Sequence, residues 1–245
     1  FARLLAESNY MVITGGGPGI MLAGNEGAGE PNSFAVNIDL PFEQDMNPVM
    51  KGSDKIINYK YFFNRKVAFL KEADAVVLFP GGFGTLDEGM EVMTLVQTGK
   101  NPPIPLIMID DDNGGYWDKF FDFVRDALLK RELISFEDFS LFTITKDPVE
   151  AVNYINEFYR NYHSMRFVKE KLVVRLNKAL DTDHLHVLRS EFSEILAPGG
   201  SMRLSNALPE EHDQPDLLQM PRLVMEFNRR SYGLLKALIR RINSF

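Results

Sequence analysis

The feature that most constrains the fold is a short apolar run that passes directly into a glycine-rich turn and then into a helical pattern. Residues Ala75–Phe79 are apolar without alternation, and the turn Pro80–Thr85 follows at once. Such a run is typical of a strand covered on both faces, as in a parallel sheet. Other short apolar runs alternate with longer helical patterns along the first 160 residues. This order predicts stacked βα units and an α/β fold with a doubly wound parallel sheet.

The same patterns predict the individual elements. The predicted strands are Met11–Thr14, Phe34–Ile38, Lys55–Ile57, Asp74–Phe79, Ile104–Ile109 and a last one near Leu141–Thr145. The predicted helices are Gly19–Ala28, Tyr61–Glu72, Thr85–Thr98, Trp117–Lys130 and Pro148–Tyr159. Because α/β domains usually begin with a strand and residues 1–8 have a helical pattern, we expect a further strand upstream of Phe1.

Strand patterns stop near Tyr162, and the remainder of the chain is predicted to be a helical extension. We therefore expect a main domain at residues 1–160 and an extension at 161–245 with a loop at 197–221, which is rich in Pro, Gly, Ser and acidic residues. The predicted helical faces carry Val168, Leu172 and Leu176, and then Leu188, Phe192, Ile195 and Leu196.

The last predicted helix is basic and amphipathic. Its apolar face carries Leu235, Leu238, Ile239 and Ile242, and the surrounding basic residues are Arg229, Arg230, Lys236, Arg240 and Arg241. Such a helix either lies on a membrane or docks on its own body or on a partner subunit. Docking is favoured because membrane-surface helices are the rarer case.

Composition excludes several classes of function. Lys and Arg number 27 and Asp and Glu number 34, so the net charge is −7, the wrong sign for a sequence-independent nucleic-acid binder. Without cysteine the chain has no disulfide, thiol nucleophile or thiolate metal site, which fits a reducing, cytoplasmic compartment. No apolar run approaches the roughly 18 residues that span a bilayer.

The turn at Pro80–Thr85 has the composition of a phosphate cradle. Glycine lets backbone N–H groups approach an anion, and the helix N-terminus adds partial positive charge. Thr85 can add a hydroxyl hydrogen bond or cap the helix. Glu88, one turn further, would repel a nearby phosphate, so we expect it to face another part of the ligand. The alternative is a tight structural turn in which Glu88 only favours the helix dipole.

A second glycine cluster, Gly15–Gly19, ends the first strand and opens a helix. It does not form the G-x-G-x-x-G dinucleotide fingerprint, although Asp39 lies near the distance at which a ribose-binding acid is expected, so a dinucleotide site is weakened rather than excluded. Neither cluster contains the Gly-Lys-Ser/Thr of a P-loop, which argues against ATP-driven phosphoryl transfer.

A third element, Tyr61–Lys66, begins the helix before the Ala75–Phe79 strand. Loops at the carboxyl ends of parallel strands meet at one edge of the sheet, so Arg65 can reach the same crevice as Glu88. Taken alone, an Arg-Lys pair on a helix is more often a solvated face.

Together, the Arg65-Lys66 helix and the Pro80–Glu88 motif resemble the LOG (LONELY GUY) family, long labelled "possible lysine decarboxylases". Residues 37–44 and 61–66 look like its prokaryotic branch, and the resemblance covers roughly residues 1–159. It implies a Rossmann-like fold, a homodimer or higher homo-oligomer, and hydrolysis of nucleoside 5′-monophosphates, AMP or cytokinin ribotides, into free base and ribose 5-phosphate.

By motif position, the resemblance implies that Arg65 and Glu88 are the catalytic pair. The phosphate-binding residues that it implies are Gly81, Gly82, Gly84 and Thr85, with Gly16 and Gly17 lining the site. It implies neither a metal nor a cofactor. A decarboxylase would need a lysine for pyridoxal phosphate, and no lysine lies in a recognisable cofactor context.

Two other functions stay open. A nucleotide or molybdenum-cofactor carrier would use a similar turn without chemistry, but it would need neither Arg65 nor Glu88. A regulatory protein on an inactive scaffold would account for the long tail.

Asp110–Asp112 could bind a metal, but a solvated acidic loop is favoured because no partner ligands are spaced with it.

Overall fold

The structure, a computed structural model, describes residues 1–39 and 46–245. Its strands are β1 (Val12–Thr14), β2 (Ser33–Ile38), β3 (Ile56–Tyr59), β4 (Val76–Leu78), β5 (Leu106–Ile109), β6 (Thr143–Thr145), β7 (Tyr162–Val168), β8 (Lys171–Leu176), β9 (Met202–Ser205) and β10 (Arg222–Met225). Its helices are α1 (Ala2–Glu7), α2 (Ile20–Ala28), α3 (Phe62–Glu72), α4 (Phe83–Gln97), α5 (Tyr116–Phe123), α6 (Pro148–Phe158), α7 (Thr182–Glu191) and α8 (Tyr232–Asn243).

The chain divides into two compact units, each assembled from several segments. Unit 1 comprises Phe1–Gly89, Ile107–Trp117 and Ile144–Asn153. Unit 2 comprises Met90–Leu106, Asp118–Thr143 and Tyr154–Phe245. The domain boundary that the sequence places near residue 160 stays a prediction.

The βα part of the chain forms two parallel sheets. One has the order β1-β2-β3, with Ile13 opposite Phe34 and Val36 opposite Ile57. The other has the order β4-β5-β6, and every residue of β5 is buried, as its continuous apolar sequence requires. The predicted α/β, Rossmann-like fold is therefore confirmed.

Each predicted strand and helix of this part is present, with shifted ends. Helix α4 begins at Phe83, two residues earlier than predicted, so Glu88 lies in its second turn. Helix α5 ends at Phe123, and a π-helical turn at Val124–Leu128 continues the predicted helix. Of the stretch 37–44, the residues from Leu40 onward lie outside the described part of the chain.

Unit 2 contains an antiparallel sheet that the sequence patterns did not predict. Its order is β7-β8-β10-β9, and β9 lies within the segment predicted to be a loop. The expected helix through Val168, Leu172 and Leu176 is wrong, because these residues lie on β7 and β8. A spacing of four residues fits both a helical face and one face of a strand, so the pattern could not decide between them.

The predicted C-terminal helix is present as α8, and its apolar face is buried inside unit 2. Leu235, Leu238, Ile239 and Ile242 share one core with sheet residues such as Leu172. Docking on its own body is therefore the correct alternative, and the membrane alternative is wrong for this face. No helix in the described ranges combines the length and the apolar character that a bilayer span requires.

Candidate active site

The glycine-rich turn after β4 leads directly into α4. The carbonyl of Gly82 accepts hydrogen bonds from the N–H groups of Thr85 (3.1 Å) and Leu86 (3.3 Å), which closes the first helical turn. The first N–H groups of a helix have no intrahelical acceptor and are available to an anion. Apart from the adjacent residues and the backbone of the helix itself, no described atom lies within 4 Å of the position that a Cβ would take at Gly82 or Gly84, so the space beside this terminus is open.

Gly81 and Thr85 are packed against each other within the same turn. A Cβ at Gly81 would collide with the Thr85 hydroxyl, so a larger residue here would displace Thr85. Thr85 is the third residue of α4 and not its N-cap, which corrects the capping role that the sequence left open. Its hydroxyl lies over Gly81 instead.

Arg65 and Glu88 lie next to each other on α3 and α4. Arg65 Nη2 is 4.0 Å from Glu88 Oε1, and the side chains are 18% and 26% exposed. A second ion pair, from Lys66 Nζ to Asp87 Oδ2 at 2.6 Å, joins the same two helices, one residue after Arg65 on α3 and one residue before Glu88 on α4. The carboxyl of Glu88 is therefore beside the guanidinium and partly open to solvent.

The guanidinium of Arg65 is held more by aromatic rings than by hydrogen bonds. It lies 5.2 Å from the ring centre of Phe62 and 5.8 Å from that of Phe69, within the range of cation–π contacts. Among residues 1–39 and 46–245, no hydrogen-bond acceptor reaches its buried Nε. Burial lowers the pKa of Arg65 from its ordinary value, and the Glu88 carboxylate opposes that shift. The cation therefore keeps part of its donor capacity unused.

The first glycine turn is fixed by a buried polar network. Gly16 has a positive φ of 74°, which favours glycine, and its N–H donates to Thr14 Oγ1 at 3.0 Å. Asn47 donates from its backbone N–H to the Gly16 carbonyl at 2.8 Å and from Nδ2 to the Gly17 carbonyl at 3.3 Å. The carboxamide oxygen of Asn25 accepts from Thr14 (2.7 Å) and from Asn47 (2.9 Å).

This network identifies residues that the sequence patterns did not. Asn25 and Asn47 are almost completely buried, although they lie far apart in the chain and in no motif. Arg65 connects this turn to the α3–α4 pair, because its Nη1 is 3.9 Å from the Cβ position of Gly15. Glu88 is five residues into α4 from Phe83, about 7.5 Å along the helix axis.

A loop after β5 also reaches the α4 turn. The hydroxyl of Tyr116 donates to the carbonyl of Gly81 at 2.6 Å. The loop is held by Asp110, whose carboxylate accepts from the N–H groups of Asp111 (3.0 Å), Gly115 (3.0 Å) and Trp117 (3.1 Å). Burial alone would raise the pKa of Asp110, but these backbone donors hold it below the ordinary value.

Asp110 is therefore a buried loop anchor, so the expectation of a solvated acidic loop is wrong for this residue, whereas Asp111 and Asp112 are exposed as expected. In the described part of the chain, no three His, Asp or Glu side chains are grouped as a metal site would require.

Comparisons with known proteins find similar sequences. A sequence model of the family "Possible lysine decarboxylase" matches residues 19–155, more than half of the chain. The cytokinin riboside 5′-monophosphate phosphoribohydrolase LOG of Oryza sativa subsp. japonica is 39% identical over 65 residues, which are 26% of this chain and 25% of the rice protein. The enzyme LOG3 of Arabidopsis thaliana is 37% identical over 65 residues, which are 26% of this chain and 28% of LOG3. The enzyme LOG2 of the same plant is 26% identical over 129 residues, which are 52% of this chain and 59% of LOG2. The chain spans from about a quarter to three fifths of the length of these relatives.

Proposed function

This chain belongs to the possible lysine decarboxylase family, the LOG family, and on that premise we propose that it hydrolyses the N-glycosidic bond of nucleoside 5′-monophosphates. The products are the free base and ribose 5-phosphate. Relatives whose names state this activity for cytokinin ribotides support the proposal. AMP is the simplest substrate with the same phosphate, ribose and purine.

In this proposal, the turn before α4 binds the 5′-phosphate. The open space beside Gly82 and Gly84 lets an anion approach the N–H groups that the first helical turn leaves unbonded. Thr85 adds a hydroxyl in the same turn, and Gly16 and Gly17 line the other side of the site. Binding the phosphate positions the ribose, since interactions remote from the reacting bond can orient a substrate.

Glu88 acts on the ribose. Cleavage of an N-glycosidic bond passes through a sugar with oxocarbenium character, as in glycoside hydrolysis. A carboxylate beside the anomeric carbon stabilises that positive charge and accepts a proton from the attacking water. The separation of about 7.5 Å between the start of α4 and Glu88 keeps the carboxylate away from the phosphate.

Arg65 orients and clamps rather than transferring protons. A guanidinium is protonated at ordinary pH, so it cannot serve as the general acid. Its position beside both Glu88 and Gly15 suits it to hold the carboxylate and a ligand oxygen at once. The rings of Phe62 and Phe69 keep it in place while its hydrogen-bond donors stay available.

The observation that carries the proposal is the 4.0 Å approach of Arg65 and Glu88 beside an unobstructed helix N-terminus. The proposal includes no metal, no cofactor, no nucleic-acid partner and no membrane partner, a cytoplasmic location, and a homodimer or higher homo-oligomer. Residues 1–160 would form the nucleotide-binding region, and the helical and sheet elements beyond them an extension. Membership of the prokaryotic branch stays a prediction.

The proposal is tested by analysing the products of AMP incubated with the purified protein. We expect adenine and ribose 5-phosphate in equal amounts. Adenosine and inorganic phosphate would indicate a phosphatase and contradict the proposal. Bound but unconsumed AMP would favour the carrier alternative.

A further inference from the structure

We propose that Tyr116 is a positioning residue that aims the Gly82 N–H at the phosphate of the ligand. The starting observation is the 2.6 Å hydrogen bond from the Tyr116 hydroxyl to the Gly81 carbonyl, which joins the loop after β5 to the turn before α4. The inference deepens the proposed function, because it takes from it the identity of the ligand.

The direction of the Gly82 N–H follows from the geometry of one peptide unit. The bond between Gly81 and Gly82 is trans, so the Gly81 carbonyl and the Gly82 N–H point in opposite directions. Tyr116 holds the carbonyl, and the N–H therefore points away from Tyr116. The Gly82 N–H donates to no acceptor in the part of the chain that the structure describes, so it is available to a ligand.

The peptide between Gly81 and Gly82 needs such a restraint on its orientation. With no side chain at either residue, the Gly81–Gly82 peptide can rotate at low steric cost, and a rotated peptide would present a carbonyl to an anion. The Thr85 hydroxyl packs over the Cα of Gly81 but does not bind its carbonyl. In the part of the chain that the structure describes, the Tyr116 hydroxyl donates to the Gly81 carbonyl. It thereby selects the peptide orientation in which the Gly82 N–H faces the ligand.

Tyr116 is itself firmly placed. The backbone N–H groups on both sides of it, from Gly115 and Trp117, donate to the same oxygen of Asp110 at 3.0 and 3.1 Å. Its ring packs edge-on against Trp117, with ring centres 4.7 Å apart. Removing the hydroxyl alone should therefore leave the ring, the loop and the fold in place.

The test is the binding of AMP and of adenosine to Tyr116→Phe, measured by calorimetry in a Glu88→Gln background so that AMP is not consumed. We expect the Kd for AMP to rise about five- to tenfold, the effect of losing one hydrogen bond that orients a donor. The Kd for adenosine, which has no phosphate, and the Tm should not change. Tyr10→Phe removes a hydroxyl elsewhere in unit 1 and serves as the matched control, with no change in either Kd.

An unchanged Kd for AMP, an equal loss for adenosine, or a loss that follows a lower Tm would overturn the inference. Its failure is distinguishable from that of the proposed function. AMP binding that depends on Tyr116 in a protein that releases no adenine supports the inference and contradicts the hydrolase. Adenine release by the wild type, with AMP binding unaffected by Tyr116→Phe, contradicts the inference and supports the hydrolase. A protein that binds no AMP contradicts both.

Discussion

Each unit contains arginine–carboxylate contacts, and they differ in how much of their bonding capacity is already used. In unit 1, Arg65 and Glu88 are 4.0 Å apart and partly exposed, and Arg65 Nε has no acceptor among the described residues. In unit 2, Glu211 lies between Arg175 (2.9 Å) and Arg222 (3.2 Å), and the three side chains are at most 3% exposed.

The unit 2 cluster is saturated. One carboxylate oxygen of Glu211 accepts from Arg175, and the other accepts from Arg222 and from the N–H of Leu208. The guanidinium of Arg222 also donates to the carbonyls of Leu217 and Met220. Such an arrangement fixes the chain but has little left to offer a ligand. The comparison is consistent with the proposed function, because the arginine beside the open turn keeps a hydrogen-bond donor that no described residue uses.

The largest expected effect is a loss of catalytic activity when the carboxylate of the unit 1 pair is removed. Glu88→Gln should lower kcat for AMP roughly 10²–10⁴-fold, the range for loss of a general base, while AMP still binds. Steady-state kinetics and calorimetry measure the two quantities. Asp87→Asn, one residue earlier and largely exposed, is the control and should retain most of kcat. Full activity in Glu88→Gln would remove this carboxylate from the mechanism.

The second effect is a loss of folding stability when the carboxylate of the unit 2 cluster is removed. Glu211→Gln should lower the free energy of unfolding by about 3–5 kcal/mol, because two buried guanidinium groups lose their counter-charge. Asp213→Asn breaks the exposed pair with Arg166 (2.7 Å) and should cost far less, because exposed ion pairs contribute little to stability. Denaturant unfolding of both variants makes the comparison. Equal losses would mean that burial does not distinguish the two pairs.

The third effect concerns Lys236, a buried lysine with no carboxylate partner among residues 1–39 and 46–245. Burial lowers the pKa of Lys236 to about 7, and Arg240 adds to the shift, while Nζ donates to the Leu141 carbonyl at 2.8 Å. Between about pH 7 and the unfolded value near 10.4 the folded state binds fewer protons than the unfolded state. The free energy of unfolding should therefore rise with pH in that window, by up to about 1.4 kcal/mol per pH unit.

Lys236→Met tests this dependence. Unfolding curves measured between pH 7 and 10 should show that the free energy of unfolding depends less on pH in the variant than in the wild type, because the titrating group is gone. The same slope in both proteins would show that Lys236 does not titrate in this range.

The smallest of these effects concerns the first glycine turn. Asn47→Ala removes the side-chain bonds to Gly17 and Asn25 and should cost about 1–3 kcal/mol of stability. If the turn lines the site, the Kd for AMP should also rise several-fold. Asn113→Ala, an exposed asparagine, is the control. A stability loss with AMP affinity intact would make the network purely structural.

The sequence could predict the parallel part of the fold because strands covered on both faces have continuous apolar runs. It could not predict β7 and β8, since their charged residues, such as Arg166 and Arg175, find partners around forty residues later in the chain. The proximity of Arg65 and Glu88 was predictable, because their motifs follow strands whose carboxyl ends meet at one edge of the sheet. Tyr116 was not, because its acceptor is a backbone carbonyl, which any residue could supply.

The most direct test of the central claim, that the anion-binding turn and the Arg65–Glu88 pair act on one molecule, is the ratio of kcat/KM for AMP to that for adenosine. The account predicts at least about tenfold preference for AMP, since charge-assisted hydrogen bonds to the phosphate contribute about 1.5–3 kcal/mol. Equal values for the two substrates would contradict it.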